Sequence, residues 1–236
     1  ADALRAGHVL TQLLSLARIE NGARAIAEGG AQLLDLSQLA RELGMAMAPL
    51  AHARGFALAL EADQPVWLYG EPTLLHELLS NLVDNALQYT PDGGIVTIRC
   101  GVLAQKKPLP KSAAGKNLLP SRTTHTVDTV YRAFLEVEDN GPGIAAAARA
   151  QVLERFVRLP GTKVEGTGLG LPIAREIAVR HRSELVLVDG IAHENGSGCG
   201  LRASVLFATD LLLTFSVQDV VPDTASQPVE EAAGPE

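Results

Sequence analysis

Helical and strand-like segments alternate along this chain in an order that predicts an α/β fold built with hairpins, not a strict strand–helix–strand repeat. Three observations carry that expectation. Residues 73–89 place leucines at helical spacing, residues 95–103 and 131–139 are apolar, β-branched runs, and Gly, Pro and Asp clusters punctuate the boundaries.

Taken in order, Leu10, Leu13, Leu14 and Ala17 give residues 1–22 one apolar helical face, closed by Asn21-Gly22. Residues 23–34 read as a linker. Asp35 then caps a second amphipathic helix over 37–53, ended by Gly55. The segments 56–62 and 66–69 read as short strands. Glu71-Pro72 opens the clearest helix, 73–89, and Thr90-Pro91-Asp92-Gly93-Gly94 stops it. Two strands follow, 95–103 and 131–139, separated by an insert over 104–130 that carries four of the five lysines and reads as a long polar loop. Beyond Gly143 come a short Ala-rich helix, a loop over 159–166, a helix over 169–181 and strands over 184–188 and 201–208.

Twenty basic residues against 27 acidic ones give a net charge of −7, which argues against a nucleic-acid binder. Cys100 and Cys199 form no CxxC pair, so neither a disulfide framework nor a zinc site is indicated. No apolar run reaches the ~20 residues that span a bilayer. The first residues read as the middle of a helix without a leader, so the chain is expected to be a piece of a longer protein.

Three motifs carry chemistry. On the helix over 73–89, Leu75, Leu78, Leu79, Leu82 and Ala86 form one stripe, while Glu77, Asn81, Asn85 and Gln88 form another. Asparagine is a middling helix former, so two of them one turn apart are either a solvated face or a pair of amide oxygens aimed at a hard cation such as Mg²⁺. Asp139-Asn140-Gly141-Pro142-Gly143-Ile144 follows a strand directly. It is either an ordinary turn or a site where the backbone approaches a flat ligand and the aspartate accepts from an exocyclic amine. Gly166-Thr167-Gly168-Leu169-Gly170-Leu171 runs into a helix N-terminus, an arrangement suited to anions. It is neither a Walker A loop nor a dinucleotide fingerprint.

In this order, N-L-x-x-N-A, D-x-G-x-G, the Glu154-Arg155-Phe156 segment and G-x-G-L-G-L resemble the N, G1, F and G2 boxes of bacterial sensor histidine kinases. These belong to the GHKL ATPase superfamily, with the gyrase B subunit, the MutL repair proteins and the heat-shock chaperone ATPases. The resemblance spans residues 36–208, and its subtype is similar to the QseC-like or tricarboxylate-sensing kinases. It implies a two-layer sandwich of a mixed β-sheet and helices, the Bergerat-type ATP-binding fold, over 35–209 with a flexible insert at 104–130. Residues 1–22 would then be the second helix of the dimerisation hairpin, its first helix absent, and 210–236 a tail, disordered beyond 221.

The resemblance also implies site roles and partners. Asn85 and Asn81 would hold Mg²⁺ against the ATP phosphates; Asp139 would bond the adenine amine, with Gly141, Gly143 and Ile144 shaping that wall. Gly166, Thr167, Gly168, Leu169, Gly170 and Leu171 would bracket the triphosphate. Tyr89 would pack on the adenine, Arg158 would reach the γ-phosphate, residues 159–165 would form a lid, and Phe156 would anchor it. Two departures stand out: Gln88 replaces a frequent Lys or Arg, and His181-Arg182-Ser183 replaces His-Gly-Gly. The implied function is γ-phosphoryl transfer to a histidine of the missing hairpin helix, for relay to a response regulator receiver domain. The setting would be a homodimer and the cytoplasmic portion of a bacterial inner-membrane protein. The alternative is a non-catalytic adenine-nucleotide sensor or another GHKL ATPase. None of the six histidines sits in an H-E-x-x-T-P acceptor motif, although His76-Glu77 imitates its start.

Overall fold

The structure is a computed structural model that describes residues 31–106, 129–159, 167–193, 196 and 198–208. The expected helix over 1–22, most of the insert, Gly166 and the tail lie outside the described residues. Among the described residues, seven strands and three α-helices are arranged as β1 (Gln32–Asp35), α1 (Leu36–Ala53), β2 (Ala57–Glu61), β3 (Trp67–Gly70), α2 (Pro72–Tyr89), β4 (Ile95–Lys106), β5 (Thr129–Asp139), α3 (Gly170–Arg180), β6 (Glu184–Ala192) and β7 (Cys199–Leu206).

Five strands form one sheet in the order β2-β4-β5-β7-β6, with β2 parallel to β4 and every other pair antiparallel. The α/β class and the mixed sheet are therefore as expected. Alternation fixes the two faces. Val96, Ile98 and Cys100 of β4, Ala133, Leu135 and Val137 of β5, and Leu201, Ala203 and Val205 of β7 are buried beneath the helices. On the opposite face the Arg99 guanidinium bridges Glu61, Glu136 and Glu138, which lets that face carry charge without a second helical layer.

Helix starts follow the sequence closely. Asp35 Oδ1 accepts from the Ser37 N–H at 2.9 Å and from the Val66 N–H at 3.0 Å, so one carboxylate caps α1 and ties it to the entry of β3. Glu71 accepts from the Thr73 and Leu74 N–H groups at 3.1 and 2.7 Å, with Pro72 in the first turn, and so fixes where α2 begins. The predicted leucine stripe of α2 is buried throughout.

Three expectations change. Residues 32–34, read as linker, belong to β1, which pairs with β3 from Gln32↔Gly70 to Asp35↔Trp67. The insert is shorter than 104–130, because β4 continues to Lys106 and β5 starts at Thr129. The Ala-rich segment after Gly143 is not an α-helix but two 3₁₀ turns, Ala146–Ala148 and Gln151–Leu153. Neither turn has a side-chain cap, and single turns of this length cannot offset the cost of helix nucleation.

The end of α3 carries one departure from the family pattern, Arg182-Ser183 after His181. His181 is buried, its Nδ1 bonded to the Ile177 carbonyl at 2.9 Å and its Nε2 accepting from the Glu71 N–H at 3.2 Å, which joins α3 to the start of α2. Burial lowers the His181 pKa below its ordinary value of 6.5. Stability from this neutral ring is thus fully present above the unfolded pKa and is lost as pH falls through the lower folded value. Acidification from about pH 7 to about pH 5 should lower the melting midpoint more in the wild type than in His181→Leu, which starts less stable but has no proton to take up. Parallel slopes would refute that role. The next residue, Arg182, has φ +51°, a left-handed conformation that glycine adopts at little cost. Arg182→Gly should stabilise the domain by about 0.5–1 kcal/mol, and a lower melting midpoint would contradict this.

Candidate functional site

One cleft collects residues from three of the four sequence motifs; the Glu154-Arg155-Phe156 segment contributes none of its own residues, and its neighbours Val157 and Arg158 line the cleft instead. Its wall on α2 is the polar stripe: Asn81, Asp84, Asn85, Gln88 and Tyr89. The opposite wall comes from the loop after β5 (Pro142, Gly143, Ile144), from Val157, Arg158 and Leu159, and from Thr167, Gly168, Gly170, Leu171 and Pro172 at the start of α3. The same α2 side chains that cannot pack in the core therefore face the start of α3, and the apolar stripe behind them holds them in place.

Asp139 sits at the inner end of the cleft because it continues the inward face of β5, after Ala133, Leu135 and Val137. It is only 6% exposed. Its Oδ1 accepts from the Gly141 N–H at 2.8 Å and the Leu201 N–H at 3.2 Å. Burial pushes its pKa up, while these two bonds and the nearby Thr90 hydroxyl pull in the opposite direction. Gly143 is required by close approach: at φ +67° a Cβ would lie 2.3 Å from the Cys199 carbonyl of β7. From the neighbouring hairpin, the His193 ring is bonded through Nε2 to the Gly141 carbonyl at 2.8 Å and steadies the same loop.

At the other end, no described side chain caps α3, and the Gly170 and Leu171 N–H groups, on residues that line the cleft, have no intrahelical partner. Asn81 approaches this helix start: a Cβ on Gly170 would lie 3.4 Å from Asn81 Oδ1. The Asn81 Nδ2 donates to the Glu77 carbonyl at 2.8 Å, which assigns the amide and leaves the oxygen toward the cleft. Gly168, at φ +70°, lets the chain turn against Val157, whose carbonyl would be 2.7 Å from a Cβ there. The cleft thus offers a buried acceptor at one end and backbone donors with amide oxygens at the other.

The family described as histidine kinase-, DNA gyrase B- and HSP90-like ATPase matches residues 70–209, more than half of the chain. The chain belongs to that ATPase family. Its relatives include the sensor kinase PmrB of Pseudomonas aeruginosa, 32% identical over 202 residues that cover 85% of this chain and 35% of that protein. The sensor protein QseC of Salmonella typhi is 31% identical over 180 residues, 75% of this chain and 32% of that protein. The chain spans about a third of the length of these relatives. Among solved structures, the catalytic domain of histidine kinase ThkA gives a TM-score of 0.55 at 20% identity, covering 76% of this chain and 95% of that one. Full-length ShkA in complex with AMPPNP gives 0.61 at 21% identity, covering 91% and 39%. At such identities the likeness is one of fold. The histidine kinase-type ATPase fold is therefore present, and the match to the ATPase family implies ATP binding.

Within this ATPase domain most expected site residues come together, and four require comment. Gly141 does not line the cleft; it acts behind the wall, donating to Asp139 and accepting from His193. Leu169 is 1% exposed, so its side chain belongs to the hydrophobic core, and its N–H donates to Thr167 Oγ1 at 3.3 Å. Gly166 and the lid segment 160–165 lie outside the described residues. Phe156 is 67% exposed with φ +64°, its N–H donates to the Gly168 carbonyl at 3.0 Å, and the lid it was expected to anchor lies outside the described residues. The sequence reading also passed over Asp84, whose place one helical turn from Asn81 and Gln88 was the available signal.

Proposed function

We propose that this domain is the catalytic, ATP-binding part of a sensor histidine kinase. The single observation that supports it best is the convergence of a buried carboxylate, two stacked carboxamides and an uncapped helix N-terminus on one cleft. In this reading Asp139 accepts from the adenine amine, Tyr89 and Ile144 flank the base, and the α3 N–H groups with Arg158 receive the phosphates.

The donor set suits Mg²⁺, a hard cation that takes a few protein oxygens and leaves its other positions to phosphates and water. Asn85 and Asn81 would hold it. Mg²⁺ when bound would neutralise charge on the transferring phosphoryl group. No described cluster of three His, Cys, Asp or Glu offers an all-protein metal cage. The chain's own residues position the nucleotide and exclude water, and the attacking nucleophile is a histidine on a dimerisation helix that the six histidines here do not supply. His76, the one that imitates an acceptor motif, lines a separate recess with Leu33 and Trp67.

The partners in this reading are a second copy of the full-length protein and a response regulator receiver domain, and the parent protein is a bacterial inner-membrane sensor. Among the described residues no helix is long and apolar enough to cross a membrane. The test is to supply a separate dimerisation hairpin with its acceptor histidine, together with Mg-ATP. Acid-labile phosphate on the hairpin, with none on this chain, is the expected result. Phosphohistidine on this chain at His76 would overturn the assignment, and ATP binding with no transfer would favour a nucleotide-sensing module.

A further inference from the structure

Thr90 lies just past the last residue of α2 and is 2% exposed, and its Oγ1 makes no well-formed hydrogen bond with any described residue. Burying a hydroxyl that way costs free energy, so a valine of the same shape would serve a purely structural role better. The side chain is held on two sides. A Cβ on Gly94 would lie 2.3 Å from Thr90 Cγ2, and a Cβ on Gly141 would lie 2.9 Å from both Thr90 Oγ1 and Asp139 Oδ1. Two missing side chains thus let the methyl group pack against the Gly94 turn and the hydroxyl converge with the carboxylate over Gly141.

We infer that Thr90 is a positioning residue for base recognition, its hydroxyl orienting the Asp139 carboxylate toward the exocyclic amine of adenine. The inference rests on the adenine role proposed above for Asp139. Because Oδ1 is committed to the Gly141 and Leu201 N–H groups, the carboxylate reads the base through Oδ2. Thr90 is not on the cleft wall, whereas Asp139 is, so its influence passes through the carboxylate and not through contact with the nucleotide. The electrostatics agree, since Thr90 helps hold the buried carboxylate in its charged, accepting form against burial and the neighbouring Glu138.

The test compares Mg-ATP with the Mg complex of purine riboside triphosphate, which lacks the 6-amino group, in titrations of wild type, Thr90→Val, Thr90→Ser, Asp139→Asn and the Thr90→Val/Asp139→Asn pair. Thr90→Val should weaken ATP about tenfold and leave the desamino analogue unchanged. Thr90→Ser should restore ATP affinity, and Thr90→Val should add nothing in the Asp139→Asn background. Equal weakening of both nucleotides, or additive losses in the pair, would overturn the inference and make Thr90 a packing residue. If Thr90→Val melts too low to titrate, Thr90→Ala is read against the same two nucleotides. Should Asp139→Asn itself treat the two nucleotides alike, the adenine assignment fails first. Should Asp139→Asn discriminate while Thr90→Val does not, only the Thr90 inference fails.

Discussion

Asn85→Ala is expected to abolish Mg²⁺-dependent ATP binding while the domain stays folded. Asn85 lies on the polar stripe of α2, and the packing energy of that helix comes from Leu75, Leu78, Leu79 and Leu82 on the other stripe, all at most 2% exposed. Alanine is also the better helix former, by roughly half a kcal/mol, so the melting midpoint should hold or rise slightly. Even outer-shell partners of bound metals cost about 10–100-fold in affinity when removed, so a direct ligand should cost at least about a hundredfold. Calorimetric titration with ATP, in Mg²⁺ and again in chelator, together with a thermal melt, checks both halves. Unchanged affinity in a folded variant would remove Asn85 from the cation site.

Asp139→Asn should separate stability from recognition. The native carboxylate is charged at the cost of burial, which is why its pKa is raised. An asparagine Oδ1 can still accept from the Gly141 and Leu201 N–H groups, so the apo domain should be as stable as the wild type or more so. Once the oxygen is committed to those donors, the amide NH₂ occupies the position that reads the base. It then opposes the adenine amine donor to donor. Hydrogen bonds to charged groups contribute about 1.5–3 kcal/mol, so ATP affinity should fall by roughly ten- to a hundredfold with no fall in melting midpoint. A variant that melts early, or one that binds ATP normally, would contradict the role given to Asp139.

What the sequence made legible was local. Asp35 and Glu71-Pro72 announce helix starts because a cap needs only residues two or three positions away. The two stripes of α2 are visible because a period of 3.6 sorts side chains without reference to any partner. What stayed hidden depends on distant segments. Residues 32–35 carry no strong strand pattern, and β1 exists through its pairing with β3 some thirty-five residues away. Leu169 sits inside a glycine-rich motif, yet the core takes its side chain. Phe156 is named as an anchor only by the resemblance, and its left-handed backbone and exposed ring are features that no local sequence pattern announces. Thr90 gives no signal at all in sequence, since its burial between Gly94 and Gly141 is set only when the α2 terminus meets the end of β5.

The central claim is that one cleft, between α2 and the start of α3, holds Mg-ATP with its base at Asp139 and its phosphates at the uncapped helix. Amide chemical-shift mapping by NMR during titration with a non-hydrolysable Mg-ATP analogue tests it directly. The account predicts saturable shifts at Asn81 and Asn85, at Asp139, Asn140, Gly141, Gly143 and Ile144, and at Thr167 to Leu171, with residues around Leu33 and Trp67 unmoved. No shift at saturating nucleotide, or shifts gathered at the Trp67 recess instead, would contradict it.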